Sequence, residues 1–396
     1  MHRRTTVVLL CAALTALPVR LALAEDGDGQ VVLPGVPERL SSQQACTTAK
    51  GRDTSDAPWT RRALGLDQVW TLSRGEGVTV AIVGTGVSDV PAVLAGRVDA
   101  VDDADEDCVG RGTFQAGLVA GAATPGQGFA GVAPQARILA VRGTGVRGES
   151  DPARLTAGVR AAAERGAGVI LVSAPLDGAD KAVRAALAVA AAKDSLVVAP
   201  AAADSVPLST AAEAPAEPAP APPEDVLAVL DTGPQGTRPD GAPPYTRADL
   251  TAPGDALVGP GPVGGGMWTG SGASLAAAVA AGAAALVRSY HPELNAAQVR
   301  ERLLRTAYPA DLPALDPYGA VAGAEAPAAR AVAVRPDPVR PVPPPDTAGA
   351  RNTALLVTAG AVGVALFVAF LAAVLPRGRA RGWRPGRLGT GGGGTD

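Results

Sequence analysis

Ser274 stands at the head of Gly272-Ala-Ser-Leu-Ala-Ala-Ala-Val279, a hydroxyl opening a small-residue helix. A serine hydroxyl is a weak nucleophile until a neighbouring base takes its proton. Histidine is the usual base near neutral pH, and the chain holds only His2 and His291. At about 1.5 Å per residue, a helix running from Ser274 to His291 rises about 25 Å, far beyond hydrogen-bond reach. Lys50, Lys181 and Lys193 are the only lysines, and no motif places one beside the serine. Carboxylates crowd at Asp99, Asp102, Asp103, Asp105, Glu106 and Asp107, which are expected to form a solvated loop neutralised in part by Arg97 and Arg111. Their spacing lacks the sixth-position glycine of a calcium loop, so no metal is expected there, nor a cofactor elsewhere. Gly264-Gly-Gly266 has no following lysine to make a phosphate cradle and reads as a flexible loop. Trp59, Trp70 and Trp268 read as packing residues, with a partner surface as the alternative.

The elements that must position these groups are visible as alternation. Short β-rich runs at residues 78–83, 136–141, 169–173 and 196–199 alternate with Ala-rich helical stretches at 112–122, 152–165 and 179–192. This pattern predicts a parallel sheet with helices on both faces and right-handed crossovers. Residues 226–230 and 249–252 add strands, and helices over 274–289 and 296–307 close the domain. The stretch 205–224, rich in Pro, Ala and Glu, reads as a strand-to-strand loop.

Three stretches then arrive in a telling order. Val78-Thr-Val-Ala-Ile-Val-Gly-Thr-Gly-Val87 is a strand entering a tight Gly turn, and Cys108-Val-Gly-Arg-Gly-Thr-Phe-Gln115 is a Gly-Thr turn entering a helix. The Ser274 stretch is the third. With Phe129-Ala-Gly-Val-Ala-Pro-Gln-Ala136 and Ala252-Pro-Gly254, they resemble the subtilisin-like (S8) serine proteases, whose motifs are Asp-Thr/Ser-Gly, His-Gly-Thr and Gly-Thr-Ser-x-Ala. The resemblance spans residues 58–323 and implies a three-layer α/β fold with a mostly parallel central sheet and a peptide cleft. Within that family the chain resembles the mycosins, membrane-anchored members associated with type VII secretion. Pro58-Trp59 with Trp70, a cysteine just before the second motif and Tyr290-His-Pro-Glu-Leu-Asn-Ala-Ala-Gln-Val299 carry that closer likeness.

The reactive positions depart from the pattern. Gly84 stands at the Asp position, Arg111 at the His position, and Ala203 (Asp204 with a one-residue shift) at the oxyanion Asn position; only Ser274 matches. Arginine, with a pKa above ~12, donates hydrogen bonds and cannot accept a proton. The related sedolisins use Glu in place of His, but the residue one turn past Arg111 is Gln115. Loss of serine or histidine alone costs about 2 × 10⁶ in kcat in subtilisin. No proton acceptor is therefore expected within about 3 Å of Ser274 Oγ, and the hydroxyl is expected to serve as a helix N-cap. The domain reads as a pseudoprotease.

Length, charge and the two ends fix the setting. The 396 residues carry a formal charge of -3, too near neutral for a nucleic-acid binder held by a basic field. Residues 1–24 read as an export signal: His2-Arg3-Arg4, an apolar stretch, and Ala22-Leu23-Ala24 as cleavage site. Residues 25–57 form an N-terminal extension, and 324–352 a Pro-rich stalk. Residues 353–375 form an uncharged run long enough to span a bilayer, followed by Arg377, Arg379, Arg381, Arg384 and Arg387 in the tail 376–396. The positive-inside rule puts that tail in the cytoplasm and the domain outside, tethered by a single helix to the cell membrane. Cys11 lies in the signal; Cys46 and Cys108 are left for a disulfide in an oxidising compartment, a two-cysteine metal site being the alternative. Together with the resemblance, these features imply an inactive structural or peptide-binding component of a type VII secretion membrane complex, partnered by its subunits and by an extended peptide in the cleft. The alternatives are an active serine endopeptidase with an unconventional base and a cell-surface binding module.

Overall fold

The structure, a computed structural model, describes residues 31–123, 128–205, 217–323, 348–380 and 382. The export signal, the stalk over 324–347 and the arginines beyond 380 lie outside the described residues. The chain divides into two units, Met1–Glu325 and Ala326–Asp396.

In the first unit seven strands form one parallel sheet in the order β2-β3-β1-β4-β5-β6-β7: β1 (Thr79–Gly84), β2 (Val98–Ala100), β3 (Arg137–Arg142), β4 (Val169–Val172), β5 (Leu196–Pro200), β6 (Leu227–Thr232) and β7 (Leu250–Pro253). β1, β4 and β5 are buried on both faces almost throughout, which is why they are unbroken apolar runs. A hairpin of β8 (Leu257–Pro260) and β9 (Met267–Gly270) stands apart from the sheet. Its outer edge is covered by the extension: Val36 N–H donates to Thr269 O, Thr269 N–H to Pro34 O, and Arg52 pairs with Met267.

The helices are α1 (Trp59–Ala63), α2 (Leu66–Val69), α3 (Arg111–Ala120), α4 (Pro152–Glu164), α5 (Lys181–Ala192), α6 (Ala273–Tyr290), α7 (Ala296–Thr306) and α8 (Pro317–Ala322). α4 and α5 build the apolar layer on one face of the sheet; α3 and α6 lie in the layer on the other. α6 is buried through its first fifteen residues, mostly alanines whose small side chains let it lie against several strands at once. That close packing suits a chain with 3% aromatic residues. Trp268 is buried, and Trp59 and Trp70 pack against the same core.

Cys46 and Cys108 form a disulfide, which joins the extension to the loop before α3. The acidic loop differs from expectation at one residue. Asp99, Asp102, Asp103, Asp105 and Glu106 are exposed, but Asp107 is buried, because it caps the start of α3: its carboxylate accepts from the N–H groups of Gly110 and Thr113 and the hydroxyls of Thr85 and Thr113. Burial pushes its pKa above the ordinary carboxylate value, against the pull of those donors. Nor do the two arginines neutralise the acids: Arg97 donates to the carbonyls of Val93 and Pro134, and Arg111 turns elsewhere.

The second unit contains α9 (Ala348–Ala380), whose stretch Leu355–Arg377 has mean hydropathy 2.5 with none of it buried. α6 is also long and apolar enough to cross a membrane, yet 83% of it is buried, so it is a core helix. α9 is thus the candidate membrane span.

Candidate active site

The strands run in parallel, so β1, β3, β4 and β5 end at the same edge of the sheet, where open α/β folds bind their ligands. A cleft of about 440 Å³ opens there. Gly143–Thr144 beyond β3, residues 173–177 beyond β4 and 202–204 beyond β5 line it, with Arg111 and Ser274 at the heads of α3 and α6 and Glu38 and Arg39 from the extension. The extension is fastened to this rim, since Leu40 N–H donates to Arg147 O and the Ser205 hydroxyl to the Glu38 carboxylate.

Arg111 and Ser274 stand side by side, with Arg111 Nη2 3.3 Å from Ser274 Oγ. Between them lies a third group. Asp204 Oδ2 accepts from Ser274 Oγ at 2.6 Å and from Arg111 Nη2 at 2.5 Å, and Asp204 Oδ1 accepts from the Ser274 N–H at 2.7 Å. Arg111 Nη2 also donates to Ser271 O at 2.9 Å. Ser274 is 1% exposed, and the side chains of Arg111 and Asp204 are 5% and 9% exposed. Gly272, at φ 136°, has no Cβ to collide with the Asp204 carboxylate, so that residue is what lets the aspartate approach.

Three sequence expectations change here. The residue of the β5 loop that bonds Ser274 is Asp204, the one-residue-shift alternative, and Ala203 lines the cleft beside it. An acceptor does lie within 3 Å of Ser274 Oγ. And Ser274 does not cap α6 with its hydroxyl: the N-cap is Gly272, and Asp204 binds the Ser274 N–H from outside the helix, where a carboxylate also meets the positive end of the helix dipole.

At the fourth position, Gly84 closes β1, and any side chain there would collide with Ser173 Oγ. Ser173 Oγ donates to Gln115 Oε1 at 2.7 Å, and Gln115 Nε2 donates to Ser274 O at 3.2 Å. A serine–glutamine pair thus occupies the space into which a carboxylate from residue 84 would project. His291 is remote, ending α6 with its Nε2 2.9 Å from Val321 O.

Two opposed chemical properties follow. Asp204 Oδ2 can receive the Ser274 proton, the first step of nucleophilic catalysis. Yet acyl transfer by serine places the developing oxyanion on the serine N–H, and Asp204 Oδ1 already sits on that donor with a negative charge. Among the described residues no cluster of His, Cys, Asp and Glu could hold a metal.

The subtilase family profile matches residues 75–334. Mycosin-4 of Mycobacterium tuberculosis is 33% identical, covering 91% of this chain and 90% of its own length. Mycosin-3 of the same organism is 32% identical over 92% and 93%. Among solved structures, the MycP3 protease from the type VII (ESX-3) secretion system superposes with a TM-score of 0.59 at 29% identity, covering 75% of this chain and 98% of that one. A serine protease MycP1, described as an essential component of the type VII (ESX-1) secretion system, gives 0.59 at 26% identity, over 73% and 95%. With its parallel sheet, its Ser274 helix and this whole-length likeness, the chain belongs to the subtilase family and, within it, to the mycosins.

Proposed function

We propose that this chain is a mycosin that does not hydrolyse peptides: an exported protein, anchored by α9, that serves as a structural or peptide-holding component of a type VII secretion membrane complex. The carrying observation is the Asp204 carboxylate seated on both the hydroxyl and the N–H of Ser274. For an oxyanion to form, the aspartate must stay or leave. If it stays, two negative charges about 3 Å apart repel by about 5 kcal/mol at an effective dielectric near 20, a loss of roughly 10⁴ in rate. If it leaves, Arg111 loses its counter-charge in a buried site, a cost of about 3–5 kcal/mol. Arg111 and Gly84 supply no general base to offset either penalty.

The ESX-1 and ESX-3 relatives support the secretion setting. The leader over 1–24, the Pro-rich stretch ahead of α9 and the arginines from Arg377 to Arg387 support an ectodomain outside the membrane and a cytoplasmic tail. The domain runs from residue 58 to 323, preceded by the extension.

A second reading, a serine endopeptidase that uses Asp204 as its base, is favoured by the 2.6 Å contact. It is opposed by the occupied oxyanion donor and by the burial of Ser274. Incubating the purified full chain with a peptide mixture and scoring products by mass spectrometry separates the two. No product is expected; cleavage that disappears in Ser274→Ala would establish the protease. Co-purification of the membrane-extracted chain with secretion-channel subunits tests the setting, and a chain recovered alone would point to a free-standing surface module.

A further inference from the structure

The inference rests on the peptide-holding reading above and names the peptide class. The end of the cleft beyond Ser274 combines two features that meet in few ligands. Its walls are apolar at Leu176, Val183 and Pro220, while Asp151, Asp177 and Asp180 stand at its rim. All three carboxylates serve the local backbone through one oxygen. Asp151 and Asp180 cap α4 and α5 by accepting from Arg154 N and Ala182 N, and Asp177 accepts from Ala179 N at 2.7 Å. Their second oxygens differ. Asp151 meets Arg154 at 3.4 Å, whereas Asp177 and Asp180 have no ion pair among the described residues. The nearby Arg184 guanidinium is directed to the carbonyls of Gly178 and Ala179. Around the whole cleft five carboxylates face two guanidiniums, of which Arg111 is neutralised by Asp204.

We infer that this cleft selects an extended polypeptide carrying a lysine or arginine side chain. An aliphatic stem with a cationic head matches an apolar lining beside unpaired carboxylates: the stem covers the exposed Pro220 and lies against the packed Leu176 and Val183, and the head stays at the solvated Asp177. An acidic peptide would be repelled, and an aliphatic one would leave the carboxylates unanswered. Residues 173–177 follow directly on β4, which is paired on both edges within the sheet, so this part of the cleft is formed without a ligand.

The test uses the full chain in a neutral detergent and fluorescein-labelled Ala/Gly octapeptides whose central residue is Lys, Arg, norleucine or Glu, read by fluorescence anisotropy. Two partly solvated charge pairs give the Lys and Arg peptides roughly three- to tenfold tighter binding than norleucine, with Glu weakest. The preference shrinks at high salt, as expected for rim charges within a Debye length of about 8 Å at physiological ionic strength. In Asp177→Asn/Asp180→Asn the amide oxygens keep the backbone contacts while the charge is lost. Lys and norleucine then bind alike and the melting temperature holds. Norleucine binding as tightly as Lys in the unaltered chain, a Lys preference that survives the double substitution, or no binding of any peptide overturns the inference. Peptide products seen by mass spectrometry would overturn the non-hydrolytic reading alone, and the Lys preference would then be scored from their rates.

Discussion

Asp204→Asn is the most revealing single substitution, because the two candidate roles of Asp204 predict opposite signs. The carboxylate holds Arg111 at 2.5 Å, with both side chains under a tenth exposed. Removing its charge leaves a buried guanidinium with only neutral acceptors, Ser271 O at 2.9 Å and Ser274 Oγ at 3.3 Å. Breaking one side of such a pair costs about 3–5 kcal/mol, whereas removing both charges together is nearly neutral. For a body of this size, about 2 °C per kcal/mol gives a fall in Tm of about 6–10 °C. Arg111→Met is expected to cost less, since Asp204 keeps the Ser274 N–H and Oγ as donors. The double variant Arg111→Met/Asp204→Asn is expected to recover most of the loss, with a coupling of about 2–4 kcal/mol. Melting of the detergent-solubilised full chain, followed by tryptophan fluorescence, supplies the four corners of the cycle. Groups kept for catalysis tend to be held at the expense of stability, so replacing them leaves stability unchanged or raises it. An Asp204→Asn variant as stable as the parent, or single effects that simply add, would refute a structural role for the cluster.

Three further outcomes are expected. Gly84→Asp/Arg111→His does not restore hydrolysis, because Asp204 stays on the Ser274 N–H and Ser173 fills the space in front of residue 84; adding Asp204→Asn and Ser173→Gly raises peptide turnover by about 10²-fold or more. Reduction of Cys46–Cys108, which closes a 62-residue separation, lowers stability by about 2–4 kcal/mol, seen as a drop in Tm with reductant that Cys46→Ser/Cys108→Ser abolishes. Burial raises Asp107 above its ordinary 3.8, so the folded state holds that proton more tightly than the unfolded chain does. Its contribution to stability is complete below pH 3.8 and is lost as the pH rises through the folded value; the Tm–pH profile of Asp107→Asn is correspondingly flatter in weak acid, and an unaltered profile would assign the slope to another group.

How far the sequence was legible depended on the kind of signal each element carries. β1, β4 and β5 are buried on both faces and stood out as apolar runs, and α6 as an alanine-rich stretch. β2 was missed because it has three residues, including the exposed Asp99, and gains its place by pairing with β3. The β8–β9 hairpin is interrupted by Gly and Pro, and its outer edge is covered by a segment more than 200 residues upstream, a contact no local pattern encodes. The motif spacing brought Arg111 and Ser274 together correctly. Asp204 was ambiguous by one residue, because the irregular loop after β5 gives no periodicity to count from. The clue lay in charge: an arginine at one reactive position and an aspartate beside another form a complementary pair. Asp107 looks like its acidic neighbours in sequence, and only the capping geometry of α3 separates it from them.

Labelling with a fluorophosphonate probe at neutral pH addresses the state of Ser274 most directly, since the reagent needs a nucleophilic serine and an open oxyanion site. Intact-mass analysis of the full chain is expected to show no adduct, with adduct formation beginning only when Asp204 is replaced together with Gly84→Asp and Arg111→His. A stoichiometric adduct on Ser274 of the unaltered chain would contradict a silent active site.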